Sequence, residues 1–381
     1  MLRFLDAGES HGKALTAIID GMPSNFNIDI DYINAELRRR QNGYGRGNRM
    51  KIEQDKVELW SGVRGKKTTG NPITMLIFNK DYENWKTILE NEPQDSEKIT
   101  IPRPGHGDLV GYFKYGTGDI RDVIERTSAR ETAIRTAIGA LSKNLLGHLD
   151  IFIRSKVNSV GEIFDDSVDL YNDQNYKIIE ESQVRCYNSK IEEKIKEEID
   201  KCMKTGNTIG GSIFVEIKGV PIGIGSYIQW DKKLDALLSY AIMSIQGIKA
   251  VEFGNGLNLS LRGSSFNDEI YYRDETIIRS SNNSGGIEAG VSNGEPIAFK
   301  AYMKPIPTIK SNIASIDLST KENVVSRYER SDICGVVPAS IVVENVCAFE
   351  ILKQILAKFP SDDFNELKNS INKYKKEIYN K

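Results

Sequence analysis

Histidine and cysteine are both scarce in this chain of 381 residues, which has three histidines and four cysteines. The cysteines form no Cys-x-x-Cys pair, so the spacing typical of a zinc site or a redox dithiol is missing. Because they are few and widely separated, they favour reduced thiols in a cytoplasmic protein over a disulfide framework. No metal site is predicted. The four positions are Cys186, Cys202, Cys334 and Cys347.

Long apolar runs and a strong net charge are also absent. No stretch approaches the roughly 20 apolar residues that a membrane-spanning helix needs, and residues 1–6 lack the apolar core of a signal peptide. The formal net charge is −2, which gives no global attraction to nucleic acid or to a membrane surface. We therefore expect a cytoplasmic protein with a small-molecule partner, and neither a nucleic acid nor a membrane as partner.

Several widespread catalytic motifs do not occur. The chain has no GxxxxGK[ST] phosphate loop, and Gly254-Asn255-Gly256 lacks the third glycine of a dinucleotide fingerprint. It also has no HExxH zinc motif. These absences argue against a nucleotide hydrolase, a Rossmann dehydrogenase and a zinc protease.

The predicted strands and helices follow one another in a mixed order. Asp29 is the expected N-cap of a helix at 30–40, and Ser128 with Glu131 reads as a capping box that starts a longer helix ending at Gly147. Because regular βαβα alternation is missing, the order favours an α+β fold over a doubly wound sheet. We predict one large domain over 1–381, with a polar peripheral insert around 163–206 and a lysine-rich helix at 365–381. Strands are predicted at 2–5, 14–19, 57–60, 73–78, 211–218 and 298–304.

Two of the three histidines stand in short glycine-bracketed loops, GESHG at 8–12 and RPGHGD at 103–108. Histidine is the usual proton-transfer residue near neutral pH, and glycine leaves room for a ligand close to the backbone. His11 and His106 are therefore candidate acid–base residues. The alternative is that both loops are structural turns carrying surface histidines.

Arginine is concentrated in RRRQNGYGRGNR at 38–49, where five arginines and three glycines share twelve residues. Arginine binds phosphate and carboxylate through a rigid fork of donors, so this segment predicts a binding site for a small anion. Arginines at a helix C-terminus also complement the helix dipole, which would account for 38–40 but not for Arg46 and Arg49. Nucleic acid is a weaker interpretation, because no aromatic ladder accompanies the arginines.

A second group of arginines lies in RTSARETAIR at 126–135. Hydroxyl groups and arginines at a helix N-terminus suit an anion, although an ordinary capped helix with surface arginines has the same pattern. RSD at 330–332 is either an ion pair or part of a site. The glycine-rich loops at 282–286 and 290–294, followed by KPIPT at 304–308, suit a cofactor with a phosphate or are hairpin turns.

Taken in order along the chain, these segments resemble the chorismate synthase family. The matching strings are GESHG at 8–12, RRRQ-x-GYGRG-x-RM at 38–50, SGV at 61–63, TTG-x-PI at 68–73, RPGH-x-D at 103–108, R-x-SARET at 126–132, the NN-x-GG loop, KP-x-PT at 304–308 and RSD at 330–332. They cover nearly the whole chain, and several are long.

The resemblance implies an activity and a fold. The family converts 5-enolpyruvylshikimate 3-phosphate to chorismate and phosphate by a 1,4-anti elimination in the shikimate pathway, and it needs reduced FMN. Its fold is α+β, with antiparallel sheets sandwiching helices, and the enzyme is typically a homotetramer. Reducing equivalents come either from NADPH used by the enzyme itself or through an external flavin reductase.

The resemblance also implies roles for individual residues. His11 would donate a proton to the leaving phosphate, His106 would contact the reduced flavin, and Asp332 would help remove the C6 proton. Arg40, Arg46, Arg49, Arg130 and Arg135 would hold the substrate's anionic groups, and Arg40 and Arg46 also fall on NADP positions. The FMN positions are Arg126, Thr127, Ser128, Gln246, Gly247, Ala289, Lys304, Pro305, Ile306, Pro307, Thr308 and Arg330.

Three positions depart from the family pattern. Gly107 replaces an alanine, Thr127 replaces a serine, and Ala289 replaces a glycine, which adds a methyl group near the expected flavin. None of these removes a proton-transfer group. The alternative functions are an FMN-dependent oxidoreductase acting on an anionic substrate and a non-enzymatic anion-binding protein.

Overall fold

The structure is a computed structural model that describes residues 1–47, 53–273 and 276–378. The helices are α1 (Ile30–Gln41), α2 (Tyr82–Glu90), α3 (Asp108–Tyr115), α4 (Arg121–Thr127), α5 (Thr132–Gly147), α6 (Asp173–Glu181), α7 (Ser189–Thr205), α8 (Leu234–Met243), α9 (Gly263–Phe266), α10 (Val336–Lys358) and α11 (Phe364–Ile378). No helix in the described ranges combines the length and the apolar composition needed to cross a membrane.

The strands form two main antiparallel sheets. One has the order β1-β2-β6-β3 and the other the order β10-β15-β9-β7-β8, and the remaining strands pair as hairpins. The strands are β1 (Arg3–Ala7), β2 (Ala14–Asp20), β3 (Glu58–Leu59), β4 (Val63–Arg64), β5 (Lys67–Thr68), β6 (Ile73–Phe78), β7 (Phe152–Val160), β8 (Ile163–Phe164), β9 (Gly211–Lys218), β10 (Ile248–Phe253), β11 (Ile270–Arg273), β12 (Thr276–Arg279), β13 (Ile287–Glu288), β14 (Val291–Ser292), β15 (Ile297–Met303), β16 (Ala314–Ile316) and β17 (Asn323–Val325).

Helices α1, α5 and α10 lie between the two sheets. Helix α10 is buried on all sides from Val336 to Leu352, as expected for a helix at the centre of a core. It approaches α5 closely at Gly139, where a Cβ atom would lie 2.1 Å from the carbonyl oxygen of Asn345. Helix α5 packs on β2 and β6, and α10 packs on β7 and β9. The predicted α+β class, with antiparallel sheets sandwiching helices, is confirmed.

The start of α5 differs from the predicted capping box. Ser128 accepts a hydrogen bond from the main-chain N of Arg130, but it caps a short 3-10 turn at Ala129–Glu131, and α5 begins only at Thr132. The Glu131 side chain instead accepts a hydrogen bond from Gln246 and lies 3.8 Å from the guanidinium of Arg135. The reciprocal half of the box is therefore absent, since the Glu131 side chain contacts Gln246 and Arg135 and not the main-chain N of Ser128.

The segment at 163–206 is more deeply integrated than its polar composition suggested. Helices α6 and α7 bury Ile179, Ile195 and Ile199, and Gly206 ends α7 in the left-handed conformation, with φ at 69°. Arg185, on the loop between these helices, is 5% exposed. This segment therefore contributes both apolar and charged side chains to the interior.

Candidate active site

Three of the predicted anion-binding arginines converge where α1 ends and α5 begins. Arg40 donates to the Thr132 hydroxyl at 3.0 Å and to the Ala129 carbonyl at 3.1 Å. Arg130 forms a two-pronged pair with Asp55, with Nη1 at 2.7 and 2.8 Å from its oxygens. The same Asp55 lies 3.5 Å from Nη1 of Arg40. We call Arg40, Arg46 and Arg130 the open arginine cluster; Arg49 lies outside the described residues.

Each member of the open arginine cluster retains a buried nitrogen that makes no hydrogen bond within the described chain: Nη1 of Arg40, Nε of Arg46 and Nη2 of Arg130. Burial, joined by repulsion from Arg130 and Arg46, lowers the pKa of Arg40 to about 10, against the attraction of Asp55. A buried donor without an acceptor is costly, and repulsion between like charges adds to that cost. The cluster therefore has the donors and the charge to bind an anion.

Asp332 lies at the edge of this cluster. Its Oδ2 accepts from Nη1 of Arg46 at 2.6 Å, and its Oδ1 accepts from the main-chain N of Gly47 at 2.6 Å. Its charge also acts on Arg40. The loop after α1 and the loop before α10 are thus joined through the predicted catalytic carboxylate.

His11 packs against two side chains that sequence reasoning did not select. Its Nδ1 lies 2.9 Å from Oε1 and 3.0 Å from Oε2 of Glu125, and its main-chain N donates to Oε2 at 2.8 Å. The imidazole stacks on Trp85, with ring centroids 4.0 Å apart and an interplanar angle of 27°. The ring is therefore held at its edge and on its face.

Two bridges connect the His11 loop to the open arginine cluster. The Ser10 hydroxyl donates to Ser128 at 3.1 Å, and Ser128 accepts from the main-chain N of Arg130 at 3.2 Å. Asn79, at the end of β6, donates to the Gly12 carbonyl at 2.7 Å and accepts from Nε of Arg130 at 2.9 Å. The His11 loop and the open arginine cluster are thus joined by two hydrogen-bonded bridges.

His106 has a similar carboxylate partner. Its Nδ1 lies 2.6 Å from Asp108, which is fully buried and also accepts from Nε of Arg103 at 2.8 Å. Burial alone would raise the pKa of Asp108, but the bonds from His106 and Arg103 outweigh it and hold that pKa well below its usual range. The carboxylate is therefore ionised at neutral pH and accepts hydrogen bonds only.

Charged side chains connect the two histidine loops. Arg121 lies 3.6 Å from Glu125 and 3.7 Å from Glu329, and Glu329 accepts a short hydrogen bond from Arg327. Burial lowers the pKa of Arg327, and the nearby charges of Arg103 and Arg121 lower it further, against Glu329. The His11 and His106 loops therefore share one electrostatic environment.

The predicted FMN positions at 304–308 border the His106 loop. Lys304 donates from Nζ to the Gly105 carbonyl at 2.6 Å, and its main-chain N donates to Gly247 at 2.9 Å. Thr308 accepts from Arg103 at 3.4 Å. The Ile306 carbonyl accepts from a threonine hydroxyl before β9, and Pro305 and Pro307 complete the segment. Gly247 and 304–308 are thus brought to one side of His106.

Another subset of the predicted residues gathers around Glu131. Gln246 donates to Glu131 at 2.9 Å and leaves a buried Oε1 with no hydrogen-bond partner in the described chain. Arg135 donates to Ser244 at 2.9 Å, and Arg126 donates to the side chain of Asp6 at 3.0 Å. Arg135 and Arg126 therefore contact other groups than the open arginine cluster.

The remaining predicted positions make fewer contacts. Thr127 ends α4 and donates to the Val123 carbonyl at 2.7 Å. Ala289 lies in the β13–β14 turn with φ at 51°, followed by Gly290 at 83°, and Arg330 is exposed before α10. No described contact joins Ala289 or Arg330 to either histidine.

Sequence reasoning missed the partners that hold the predicted residues in place. Arg103 and Asp108 stand in the quoted RPGHGD string, so a carboxylate two residues after the histidine was a usable signal. Glu125 directly precedes the RTSARET string, but its pairing with His11 spans 114 residues. Asn79, Arg121 and Arg327 carry no local signal.

A separate charged cavity of about 490 Å³ lies between α1, the end of α5 and α6. Its lining includes Glu36, Arg39, Lys143 and Glu180, which pair with one another or with the buried Glu344. Since these charges are already neutralised, this cavity is a weaker anion site than the open arginine cluster. Within the described ranges no group of histidine, cysteine and acidic side chains could hold a metal ion.

Comparisons with known proteins agree with one another. The chorismate synthase family model matches residues 2–356. The chorismate synthase of Clostridium tetani (strain Massachusetts / E88) is 64% identical over 379 residues, covering 100% of this chain and 98% of the relative. That of Alkaliphilus oremlandii (strain OhILAs) is 51% identical over 381 residues, covering 98% of each. A solved crystal structure of chorismate synthase matches with a TM-score of 0.79 and 35% identity, covering 100% of this chain and 99% of the other.

Proposed function

Because the chain belongs to the chorismate synthase family, we propose that the open arginine cluster binds 5-enolpyruvylshikimate 3-phosphate beside His11. The enzyme is a lyase of the shikimate pathway, and its product is chorismate. In the elimination, the C6–H bond breaks, its electrons become part of a new double bond, and the C3–O bond breaks with its electron pair on the departing phosphate. The chain's task is to bind three anionic groups and to place proton-transfer residues at both ends of this change.

The observation that carries the proposal is the set of buried guanidinium nitrogens in Arg40, Arg46 and Arg130 that make no hydrogen bond within residues 1–47, 53–273 and 276–378. A phosphate and two carboxylates would supply acceptors to these donors and offset the burial and the repulsion from Arg130 and Arg46 that lower the pKa of Arg40. An apolar or cationic ligand would do neither. Arg49 and Arg135 are proposed as further contacts to the same substrate.

Proton transfer is assigned to two of the three predicted catalytic residues, His11 and Asp332. His11, next to the cluster, gives a proton to the leaving phosphate, and Asp332 assists removal of the C6 proton. Asp332 is held by Arg46 and Gly47 at 2.6 Å each, so substrate binding at Arg46 also orients the carboxylate. His106 is assigned to hydrogen bonding with the flavin, because the 304–308 segment lies against its loop.

The residues present fit a reduced flavin. Gln246 has a buried Oε1 with no hydrogen-bond partner among the described residues, which could accept from a ring N–H of the flavin. Lys304 carries a positive charge beside the His106 loop, which could pair with a phosphate. Gly247, Pro305 to Thr308, Arg126 to Ser128, Ala289 and Arg330 are proposed as the other contacts. When bound, reduced FMN would supply electron density transiently as phosphate leaves. The protein's part is to orient both ligands and to exclude water.

Several finer properties belong to the same proposal. NADPH, bound through Arg40 and Arg46, would reduce the flavin if the enzyme does this itself, and an external flavin reductase would replace it otherwise. We further propose a single catalytic domain over 1–381, a homotetramer and a cytoplasmic location.

The test is an anaerobic assay with substrate and one equivalent of pre-reduced FMN per active site, run with and without NADPH. Phosphate release should far exceed the flavin that becomes oxidised, because substrate and product are at the same oxidation level. Oxidised FMN without a reductant should give no turnover. Phosphate release that tracks flavin oxidation one for one would instead identify an FMN-dependent oxidoreductase.

A substitution tests the role of Asp332. Asp332→Asn should bind the substrate but lose turnover by roughly 100- to 10,000-fold, the usual range for a positioned acid–base group. Activity within a few-fold of the unaltered enzyme would remove Asp332 from the mechanism.

A further inference from the structure

Resting on the proposed role of His11, we infer that Glu125 is the positioning residue that fixes which nitrogen of His11 exchanges protons with the leaving phosphate. Glu125 lies on α4, and its carboxylate is 2% exposed. It accepts a hydrogen bond from the main-chain N of His11 at 2.8 Å, and its Oε1 lies 2.9 Å from Nδ1 of the His11 ring. One carboxylate thus holds both the backbone and the ring of the catalytic histidine.

The chemistry of Glu125 sets the proton on Nδ1. Burial would raise the pKa of Glu125, but the hydrogen bonds and the charge of His11, with a contribution from Arg121, outweigh burial and leave that pKa below its usual value. An ionised carboxylate has no proton to donate, so the hydrogen in the contact belongs to Nδ1. The proton that His11 gives up therefore leaves from Nε2.

Trp85 fixes the remaining freedom of the ring. It stacks on the imidazole at 4.0 Å, and the Arg121 guanidinium lies 5.0 Å from the centre of the indole ring. A small rotation of His11 about its Cβ–Cγ bond would break the stacking, and a half-turn, which keeps the ring plane, would put Cδ2 in place of Nδ1 at Glu125. Nε2 is thus presented in one orientation, and the bridges through Ser128 and Asn79 set that orientation relative to Arg130.

The spectroscopic test uses the scarcity of histidine. In enzyme labelled with ¹⁵N-histidine, magic-angle-spinning NMR separates protonated from unprotonated ring nitrogens, and the loss of one pair of signals in His11→Ala assigns His11 among the three histidines. The neutral ring of His11 should carry its proton on Nδ1. In Glu125→Gln the ring should become a mixture of the two tautomers, because an amide can donate as well as accept.

The kinetic test separates positioning from folding. Glu125→Gln should lower kcat by about 10- to 100-fold with KM nearly unchanged, as expected for loss of an orienting partner, and Glu125→Asp, which keeps the charge, should recover part of that loss. Asp122→Asn is the matched control, since Asp122 is an exposed acid on the same helix, and it should change kcat by less than about twofold. The inference would be overturned if the neutral His11 ring of the unaltered enzyme carried its proton on Nε2. It would also be overturned if Glu125→Gln changed neither the tautomer of His11 nor kcat.

The outcomes also distinguish this inference from the proposed function. If reduced FMN supports no phosphate release but the His11 tautomer still depends on Glu125, the proposed function fails and the positioning of His11 stands. If phosphate release far exceeds the flavin oxidised but the His11 tautomer is the same in Glu125→Gln as in the unaltered enzyme, the inference alone fails. Should Glu125→Gln not fold, the tautomer of the unaltered enzyme together with Glu125→Asp decides the question.

Discussion

Arg39 and Arg40 are neighbours near the end of α1, yet their guanidinium groups have opposite surroundings. Arg39 donates to Glu36, Glu180 and Glu344 at 2.6–2.9 Å. Burial opposes its charge, but attraction to Glu344 and Glu36 outweighs burial and raises its pKa well above the usual value. Burial and repulsion instead lower the pKa of Arg40 to about 10, and its Nη1 makes no hydrogen bond in the described chain.

The contrast separates a structural role from a ligand-binding role for buried arginine. Arg39, Lys143 and Arg185 all pair with the fully buried Glu344, so these cations are neutralised without a ligand. We call this group the closed ion network; its members are Glu36, Arg39, Lys143, Glu180, Arg185 and Glu344. In the open arginine cluster, three buried guanidinium nitrogens make no hydrogen bond within the described residues, and we propose that a bound anion accepts from them. Buried charge must be paired, so a surplus of donors indicates where a substrate binds.

Breaking the closed ion network should give the largest effect on stability. Glu344→Gln leaves Arg39, Lys143 and Arg185 without their shared carboxylate, which should lower the free energy of unfolding by about 3–5 kcal/mol. Urea unfolding measures this change. The kcat of the folded fraction should stay within about threefold of the unaltered enzyme, and a large kcat loss at unchanged stability would reverse the roles assigned to the two clusters.

Breaking the open arginine cluster should give the opposite pattern. Arg40→Gln removes donors that the substrate needs, so kcat/KM should fall by about 100-fold, in line with the loss of charge-assisted hydrogen bonds. The free energy of unfolding should fall by less than about 2 kcal/mol, because the change also relieves repulsion by Arg46 and Arg130. Steady-state kinetics tests the expected fall in kcat/KM, and urea unfolding of the same preparation tests the expected small change in unfolding free energy.

A packing change sharpens the comparison on the catalytic side. Gly107 has φ at −74°, which alanine adopts easily, but a Cβ there would lie 2.9 Å from Cγ2 of Thr127. Gly107→Ala should therefore lower the free energy of unfolding by about 1–3 kcal/mol and disturb the adjacent His106. Thr127→Ser removes the conflicting methyl group, so Gly107→Ala/Thr127→Ser should regain most of both losses. Additive effects in this double-mutant cycle would show that Gly107 and Thr127, which both depart from the family pattern, do not compensate for each other.

The smallest expected effect concerns acid stability. Burial would raise the pKa of Glu180, but attraction to Arg185 and hydrogen bonding by Arg39 lower it from 4.5 to about 2. A lowered folded-state pKa stabilises the protein above pH 4.5, and this contribution is lost as the pH falls towards 2. In Glu180→Gln, the free energy of unfolding should therefore decrease less between pH 4.5 and about 2 than it does in the unaltered enzyme. An unchanged slope would remove Glu180 from the closed ion network.

Local features of the fold were predictable because they depend on neighbouring residues. The cap at Asp29, strand β6 at Ile73–Phe78 and strand β9 at Gly211–Lys218 agree with the predicted positions. The strand predicted at 57–60 is shorter, at Glu58–Leu59, and α5 starts later than the Ser128 pattern indicated. Periodicity and caps locate elements, but tertiary contacts set their ends.

The division between Arg39 and Arg40 was not predictable from the RRRQ string. The contact of Arg39 with Glu344 spans 305 residues, and that of Arg40 with Thr132 spans 92. The charge pattern treats 38–40 as one group that suits a helix end, and only the family resemblance singles out Arg40. The fold directs the adjacent side chains of Arg39 and Arg40 into different clusters. His11 and His106 were found because glycine-rich loops mark them, while Glu125 and Asn79 are recognised only through contacts across the fold.

The most direct test of the account is calorimetric titration of 5-enolpyruvylshikimate 3-phosphate, without flavin, into three proteins: the unaltered enzyme, Arg40→Gln and Glu180→Gln. The account predicts that Arg40→Gln weakens binding by at least about tenfold, whereas Glu180→Gln leaves the Kd within about twofold. Binding that is equally tight in Arg40→Gln and in the unaltered enzyme, or equally weakened in both variants, would contradict the claim that surplus donors in the open arginine cluster hold the substrate.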